Sequence, residues 1–279
     1  MRRSFGAAAL GGALALAGTL AGCGPLVTAA ENVGTWGWHP DHAVQHLDTA
    51  YVSGGARVEV ERFAPHAARL GSHAGGYPAV LVLHSSDGVR GPSGAIVRRW
   101  ADALARHGYV AYVVHYFDRT GDTRTDDERE DRVFPTWTDA LQDAVTFVRR
   151  DPAVDTARVS AFGLSLGGYM ALALGAADPR VDRLVVLSGG FFDALAPTVH
   201  RLPPTLLLHG SDDDVVPLSA AQRVERTLAR LHVPHRLVVY PGRGHGLDAE
   251  TRPDGIARTL AFLDAPTVAG AVTERRDSP

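Results

Sequence analysis

A chain of 279 residues with 45% hydrophobic and 21% charged residues can bury a sizeable core, and its length suits one large α/β domain or two small ones. A formal net charge of -3 gives no electrostatic reason to expect nucleic acid as a partner. Every Lys-or-Arg position is arginine, which excludes a lysine Schiff base and a lysine-dependent phosphate loop, and the single cysteine, Cys23, excludes an intrachain disulfide.

The chain begins with Met1-Arg2-Arg3 and an apolar stretch from Ala7 to Leu20, too short and too small-sided for a membrane span, so residues 1–22 read as a signal peptide. Leu20-Ala21-Gly22-Cys23 resembles the lipobox of bacterial lipoproteins, which implies cleavage before Cys23, lipidation of its thiol and attachment to a membrane outside the cytoplasm. Arg2-Arg3-Ser4-Phe5 is similar to a short twin-arginine signal. Residues 23–56 show no clean periodicity and read as a tether. Its His39, His42 and His46 have no cysteine or glutamate at a ligand spacing, so no metal site is expected there.

Val58 to Phe63 alternates and predicts an antiparallel edge strand, and residues 64–76 a turn or short hairpin. Pro78 to Leu83 and Val110 to Val114 are continuous apolar runs, as expected of strands covered on both faces. A helix is predicted between them, from Ile96 to His107, with Gly108 as its stop. Residues 116–136 read as a long loop at the carboxyl end of a strand, where a substrate pocket wall or flap would lie, with the charged run Asp126 to Arg132 in it solvated. The pattern then predicts a helix at Thr138–Arg149, a strand at Val159–Phe162, a helix at Leu166–Ala177, and strands at Leu184–Leu187 and Thr205–Leu208. It closes with a helix at Ser219–Leu231, a strand at His235–Tyr240 and a helix at Gly255–Leu263. Alternating strands and helices predict one α/β domain over residues 57–264, a mostly parallel sheet with helices on both faces. A frayed tail follows at 265–279.

Three stretches carry chemistry. Gly163-Leu164-Ser165-Leu166-Gly167 lies between a strand and a helix, the pattern of a nucleophile elbow. Glycines let the two elements pass closely, and the Leu166 N–H at the helix start faces any negative charge beside Ser165. A serine hydroxyl needs a base, and the base an orienting carboxylate. His209-Gly210-Ser211-Asp212-Asp213-Asp214 and Gly242-Arg243-Gly244-His245-Gly246 each follow a predicted strand, so the order is Ser165, an aspartate, then His245.

With "VLVLHSSDGVRGP" from Val80 and "HYFDRTGD" from His115, these stretches resemble the α/β-hydrolase superfamily, specifically dienelactone-hydrolase-like proteins, over about residues 57–264. The resemblance implies Asp213 as the acid, through the pattern HGxxDxxVP. It also implies the backbone N–H of Ser86 as a second oxyanion donor beside that of Leu166, with Ser85 its close competitor. Dienelactone hydrolases in the narrow sense carry a cysteine where this chain has Ser165, and a glutamate where it has Ser85. Family substrates with a carboxylate are often held by arginines, which makes Arg90, Arg119 and Arg243 candidates. Phe117, Phe191 and Phe192 are candidate pocket residues. The expected function is hydrolysis of a small ester or lactone without metal or organic cofactor. A prolyl-oligopeptidase-like peptidase shares the triad order but generally carries a large extra domain, for which this chain has no room. A surface lipoprotein using the scaffold for binding is the non-enzymatic alternative.

Overall fold

A computed structural model describes residues 44–66 and 75–266 of the chain. Cys23, the signal segment, His39, His42 and nearly all of the C-terminal tail lie outside them. Eight strands form one sheet: β1 (Val44–Ser53), β2 (Ala56–Pro65), β3 (Tyr77–Leu83), β4 (Val110–Val114), β5 (Val154–Leu164), β6 (Leu184–Leu187), β7 (Thr205–Gly210) and β8 (His235–Tyr240). Their spatial order is β1-β2-β4-β3-β5-β6-β7-β8. Only β2 runs against the others, since it pairs antiparallel with both β1 and β4 while β3 to β8 pair in parallel.

Among the described residues, five α-helices cover this sheet: α1 (Pro92–Arg106), α2 (Asp127–Val148), α3 (Leu166–Ala177), α4 (Leu218–Arg230) and α5 (Arg252–Asp264). The apolar runs explain the layering. Along β3, Ala79, Leu81 and Leu83 join one core with α2, α3 and α4, while Val80 and Val82 join the other with α1 and α5. Alternate side chains point to opposite faces, so a strand buried on both must be apolar throughout. The helices offer matching stripes, Val97, Trp100, Ala101 and Leu104 on α1 and Ala220, Ala221, Val224 and Leu228 on α4.

Three expectations are corrected. Residues 44–53, expected within the tether, are strand β1, so β2 is an interior strand and not an edge. As an outer strand β1 buries few of its side chains, with Leu47 and Val52 left exposed, so it writes no alternation into the sequence. Tertiary contacts hold it: the Tyr51 hydroxyl donates to the Ala140 carbonyl at 2.7 Å, and His46 packs its ring on Phe63 at 4.6 Å. The charged run expected in a loop is the opening of α2. Asp126 caps it by accepting the Arg129 N–H at 2.9 Å, and Asp127, Glu128 and Glu130 occupy the first turn, where acidic groups complement the helix dipole. Finally, β5 is an eleven-residue strand reaching well beyond Val159–Phe162.

The site is positioned by β3 and β5. These neighbours send their following helices to opposite faces, α1 to one and α3 to the other. Loops that part this way leave a crevice at the carboxyl ends of the strands.

Candidate active site

Ser165 stands between the end of β5 and the start of α3 with φ 56° and ψ -122°, a left-handed backbone that a non-glycine residue adopts only under constraint. The constraint is close packing. A Cβ on Gly163 would lie 1.9 Å from the Gly167 carbonyl oxygen, and one on Gly167 would lie 2.2 Å from that of Leu83. Both glycines are therefore required by contact. The second contact also seats the first turn of α3 against the His84–Gly88 loop. The Ser165 N–H donates to the Leu187 carbonyl at 2.8 Å, fixing the turn to β6.

In that adjoining loop the Gly88 N–H donates to the Ser85 carbonyl at 3.0 Å, and the Ser86 carbonyl accepts the Thr125 N–H at 2.9 Å. Ser85 is buried and Ser86 half-buried. With both carbonyls engaged by the surrounding chain, the loop is held beside the first N–H groups of α3. The opening amides of a helix have no partner within it.

His245 and Asp213 meet across the loops after β8 and β7. His245 Nδ1 lies 2.9 Å from each carboxylate oxygen of Asp213. Of the neighbouring aspartates, Asp212 and Asp214 are exposed, whereas the Asp213 side chain has no exposed surface. Asp213 Oδ1 also accepts the N–H groups of Val215 at 3.1 Å and Val216 at 2.8 Å. Burial alone would raise this carboxyl; the Val216 N–H, His245 and the Ser188 hydroxyl outweigh it and hold the group below the usual carboxylate range. An acceptor-only carboxylate fixes the proton of the His245 ring on Nδ1 and leaves Nε2 free to take one. The structure joins His245 to Asp213 by hydrogen bonds but shows none between His245 and Ser165. The two loops nevertheless touch, because a Cβ on Gly246 would stand 3.4 Å from Leu164 Cδ1.

Two residues of this arrangement were not singled out from the sequence. Ser188, fully buried with φ 51°, accepts the Gly246 N–H on Oγ at 3.0 Å and bonds Asp213 as well, so it ties the histidine loop to the carboxylate. The available signal was a Ser-Gly-Gly turn ending the strand next to the elbow. His209, in the same stretch as Asp213, meets the Val216 carbonyl with Nε2 at 2.8 Å and lies 3.4 Å from Asp213; burial pushes its pKa down.

The remaining candidates separate. Phe191 and Phe192 are buried in the core, 1% and 4% exposed, and Phe192 stacks on Phe134 of α2 at 4.3 Å and meets Tyr169 of α3 at 5.3 Å. Phe117 is buried against His84 and Trp137. The Arg119 guanidinium fills the space above Gly54 in the β1–β2 turn, with β4 and β3 between that turn's strands and β5. Arg243 is paired with Asp248 at 2.8 Å and Glu250 at 3.0 Å. Arg90 is exposed beside a cavity near β4.

An eight-stranded sheet with one reversed strand, an elbow serine after β5 and a hydrogen-bonded Asp-His pair after β7 and β8 defines the α/β-hydrolase fold class. Residues 66–267 match the profile of the dienelactone hydrolase family, and the chain belongs to that family of hydrolases. A Yersinia pestis protein named as a candidate carboxymethylenebutenolidase is 25% identical over 203 residues, covering 67% of this chain and 74% of the relative. A solved dienelactone hydrolase from Anabaena variabilis superposes with a TM-score of 0.59 at 23% identity, over 79% of this chain and 96% of that one. The Porphyromonas gingivalis dipeptidyl peptidase 4 gives 0.63 at 20% identity, over 80% of this chain but 35% of the peptidase. The last two likenesses speak for the fold alone, which hosts more than one chemistry.

Proposed function

We propose that the protein is an exported serine hydrolase that cleaves the acyl bond of a small ester or lactone through Ser165, His245 and Asp213. The observation that carries this reading is the buried, fully bonded Asp213 carboxylate holding His245 Nδ1, on loops that touch the elbow. His245 Nε2 takes the Ser165 proton as Oγ attacks the substrate carbonyl. The electron pair of the C=O bond moves to oxygen, beside the Leu166 N–H and the second donor on the Ser85–Ser86 segment. Collapse expels the alcohol, protonated by His245, and leaves an acyl-serine. A water then gives its proton to His245 and attacks the acyl carbon, and the acid departs with Ser165 restored. Asp213 steadies the imidazolium in both halves.

A serine in the elbow requires a strong base partner, because its hydroxyl is far less acidic than a thiol. The density of bonds on Asp213 fits that demand. The test is turnover of p-nitrophenyl esters with labelling by a fluorophosphonate. Ser165→Ala should lose both, and full residual activity in that variant would sink the mechanism. An ester and lactone panel varied in acyl length and charge then defines the substrate, with aminoacyl-proline amides as the arm for a peptidase. Export and lipid attachment at Cys23 belong to the same proposal and rest on the N-terminal motif. Intact mass of the membrane-fraction protein tests them, with Cys23→Ala expected to release the chain from the membrane.

A further inference from the structure

A cavity of about 350 Å³ lies at the carboxyl ends of β3 and β4, beside the first residues of β2, and Ser165 does not line it. Its wall includes Glu59, His84, His115 and Asp118, with Arg57 and Arg90. Glu59, His115 and Asp118 each offer a ligand atom, and these atoms lie within 4.8 Å of one another.

The histidine is oriented by its other nitrogen. His115 Nε2 meets Glu61 Oε1 at 2.8 Å, and Arg98 grips both oxygens of Glu61 at 2.6 Å. A carboxylate engaged in this way only accepts, so the ring proton sits on Nε2, and in the neutral ring a lone pair at Nδ1 turns toward Glu59. Glu59 Oε2 stands 3.9 Å from that nitrogen, too far for a hydrogen bond. Two electron-pair donors at this spacing leave a gap that a cation spans, given metal–ligand distances of about 2.0–2.2 Å. A histidine whose far nitrogen is bonded to a carboxylate is the usual arrangement behind a metal ligand. The other parts are likewise held. Glu59 Oε1 is taken by Arg57 at 2.7 Å, leaving Oε2, and Asp118 Oδ2 accepts the Glu59 N–H at 2.9 Å.

We propose that Glu59, His115 and Asp118 bind a divalent transition metal of the Zn²⁺ class, with the remaining coordination position open to the cavity. Imidazole with two carboxylates suits Zn²⁺, Co²⁺ or Ni²⁺ rather than the softer Cu⁺. Arg57 and Arg90 at the rim favour water or a small anion as the exchangeable ligand. None of these residues belongs to the proposed triad, so the site stands or falls independently of it.

The test is calorimetric titration of the chelator-stripped full-length protein with Zn²⁺, together with the visible absorption of bound Co²⁺. One equivalent should bind to the wild-type chain and to Ser165→Ala alike, raising the melting temperature of both. Glu59→Gln, a half-exposed position, should weaken binding at least tenfold while leaving the fold intact, and His115→Ala should abolish it. Absence of binding at millimolar metal would overturn the proposal. So would binding undiminished in both variants, which would place the metal elsewhere on the chain.

Discussion

The two sides of the sheet are built by different rules. From β5 to β8, functional side chains sit on short loops at strand ends, each inside a run whose spacing is visible in the primary structure: the elbow around Ser165, the stretch holding Asp213 and the glycines around His245. From β1 to β4, the cavity residues come from a strand interior, Glu59, and from the HYFDRTGD stretch at a strand exit, His115 and Asp118, with nothing in the sequence to join the first to the other two. The first side carries the serine, aspartate and histidine proposed to act on one acyl carbon. The second is organised around ion pairs that join β2 to α1 and to the loop after β4, Glu61 with Arg98 and His115. Local motifs announce chemistry when the backbone itself participates, as it does at the elbow; side chains gathered by strand pairing announce nothing until the pairing is known.

Substitutions can separate the two sides. The largest effect is expected at the triad. Asp213→Asn keeps the shape but reverses the hydrogen-bonding sense at His245 Nδ1, and kcat for ester hydrolysis should fall by about 10⁴-fold, with the melting temperature changing far less than activity. Retained activity would remove Asp213 from the mechanism and leave the motif-bearing side with only a structural role. Gly163→Ala comes next. Its Cβ would meet backbone at 1.9 Å, which cannot yield as a flexible side chain would, so a loss of stability of about 1–3 kcal/mol is expected. Chemical denaturation checks it.

Ser188→Ala should have a smaller and purely positional effect. Losing the Gly246 and Asp213 contacts should lower kcat about tenfold, the worth of one or two buried hydrogen bonds, with KM little changed. The pH–rate profile should shift with it, because the carboxylate behind His245 loses a partner; an unchanged profile would reduce Ser188 to packing. Metal affinity at Glu59 and His115 should not respond, and a response would show that the two sides are coupled.

The smallest expected effect is one of stability. Burial, with Asp127, Asp131 and Asp126 nearby, pushes the Glu130 carboxyl from 4.5 up to about 7. The folded state then holds this proton more tightly than the unfolded state does, so stability falls as pH rises from 4.5 to 7, and the full cost remains above it. Glu130→Gln should raise the melting temperature at pH 8 and leave it unchanged at pH 4. A gain independent of pH would assign the effect to helix propensity instead.

Much of the fold was legible in advance because a strand covered on both faces must be largely apolar, which is what β3 and β4 show. The outer strand β1 was not, since half of its residues are exposed and it is held by Tyr51 reaching α2 and His46 packing on Phe63. The start of α2 was hidden for a related reason: a run of like charges reads as solvated loop, and here it is a cap and an acidic first turn. The resemblance makes Arg119 a candidate for substrate, and its guanidinium covers the β1–β2 turn, a contact that depends on a strand the sequence does not reveal. Family likeness could not place it, because a loop is seated by whatever packs beside it.

By itself, the sequence determined the α/β class, the chain order of serine, aspartate and histidine, and the glycines that let strand and helix cross. These are local requirements of sterics and periodicity, written where they act. Only the tertiary structure decided that Asp213, not Asp212 or Asp214, turns inward to His245, that Ser188 ties the two loops, and that Glu59 faces His115 across an open cavity. Each of these depends on the direction a side chain takes once neighbouring strands are paired, and that direction is set by contacts between residues far apart in the chain.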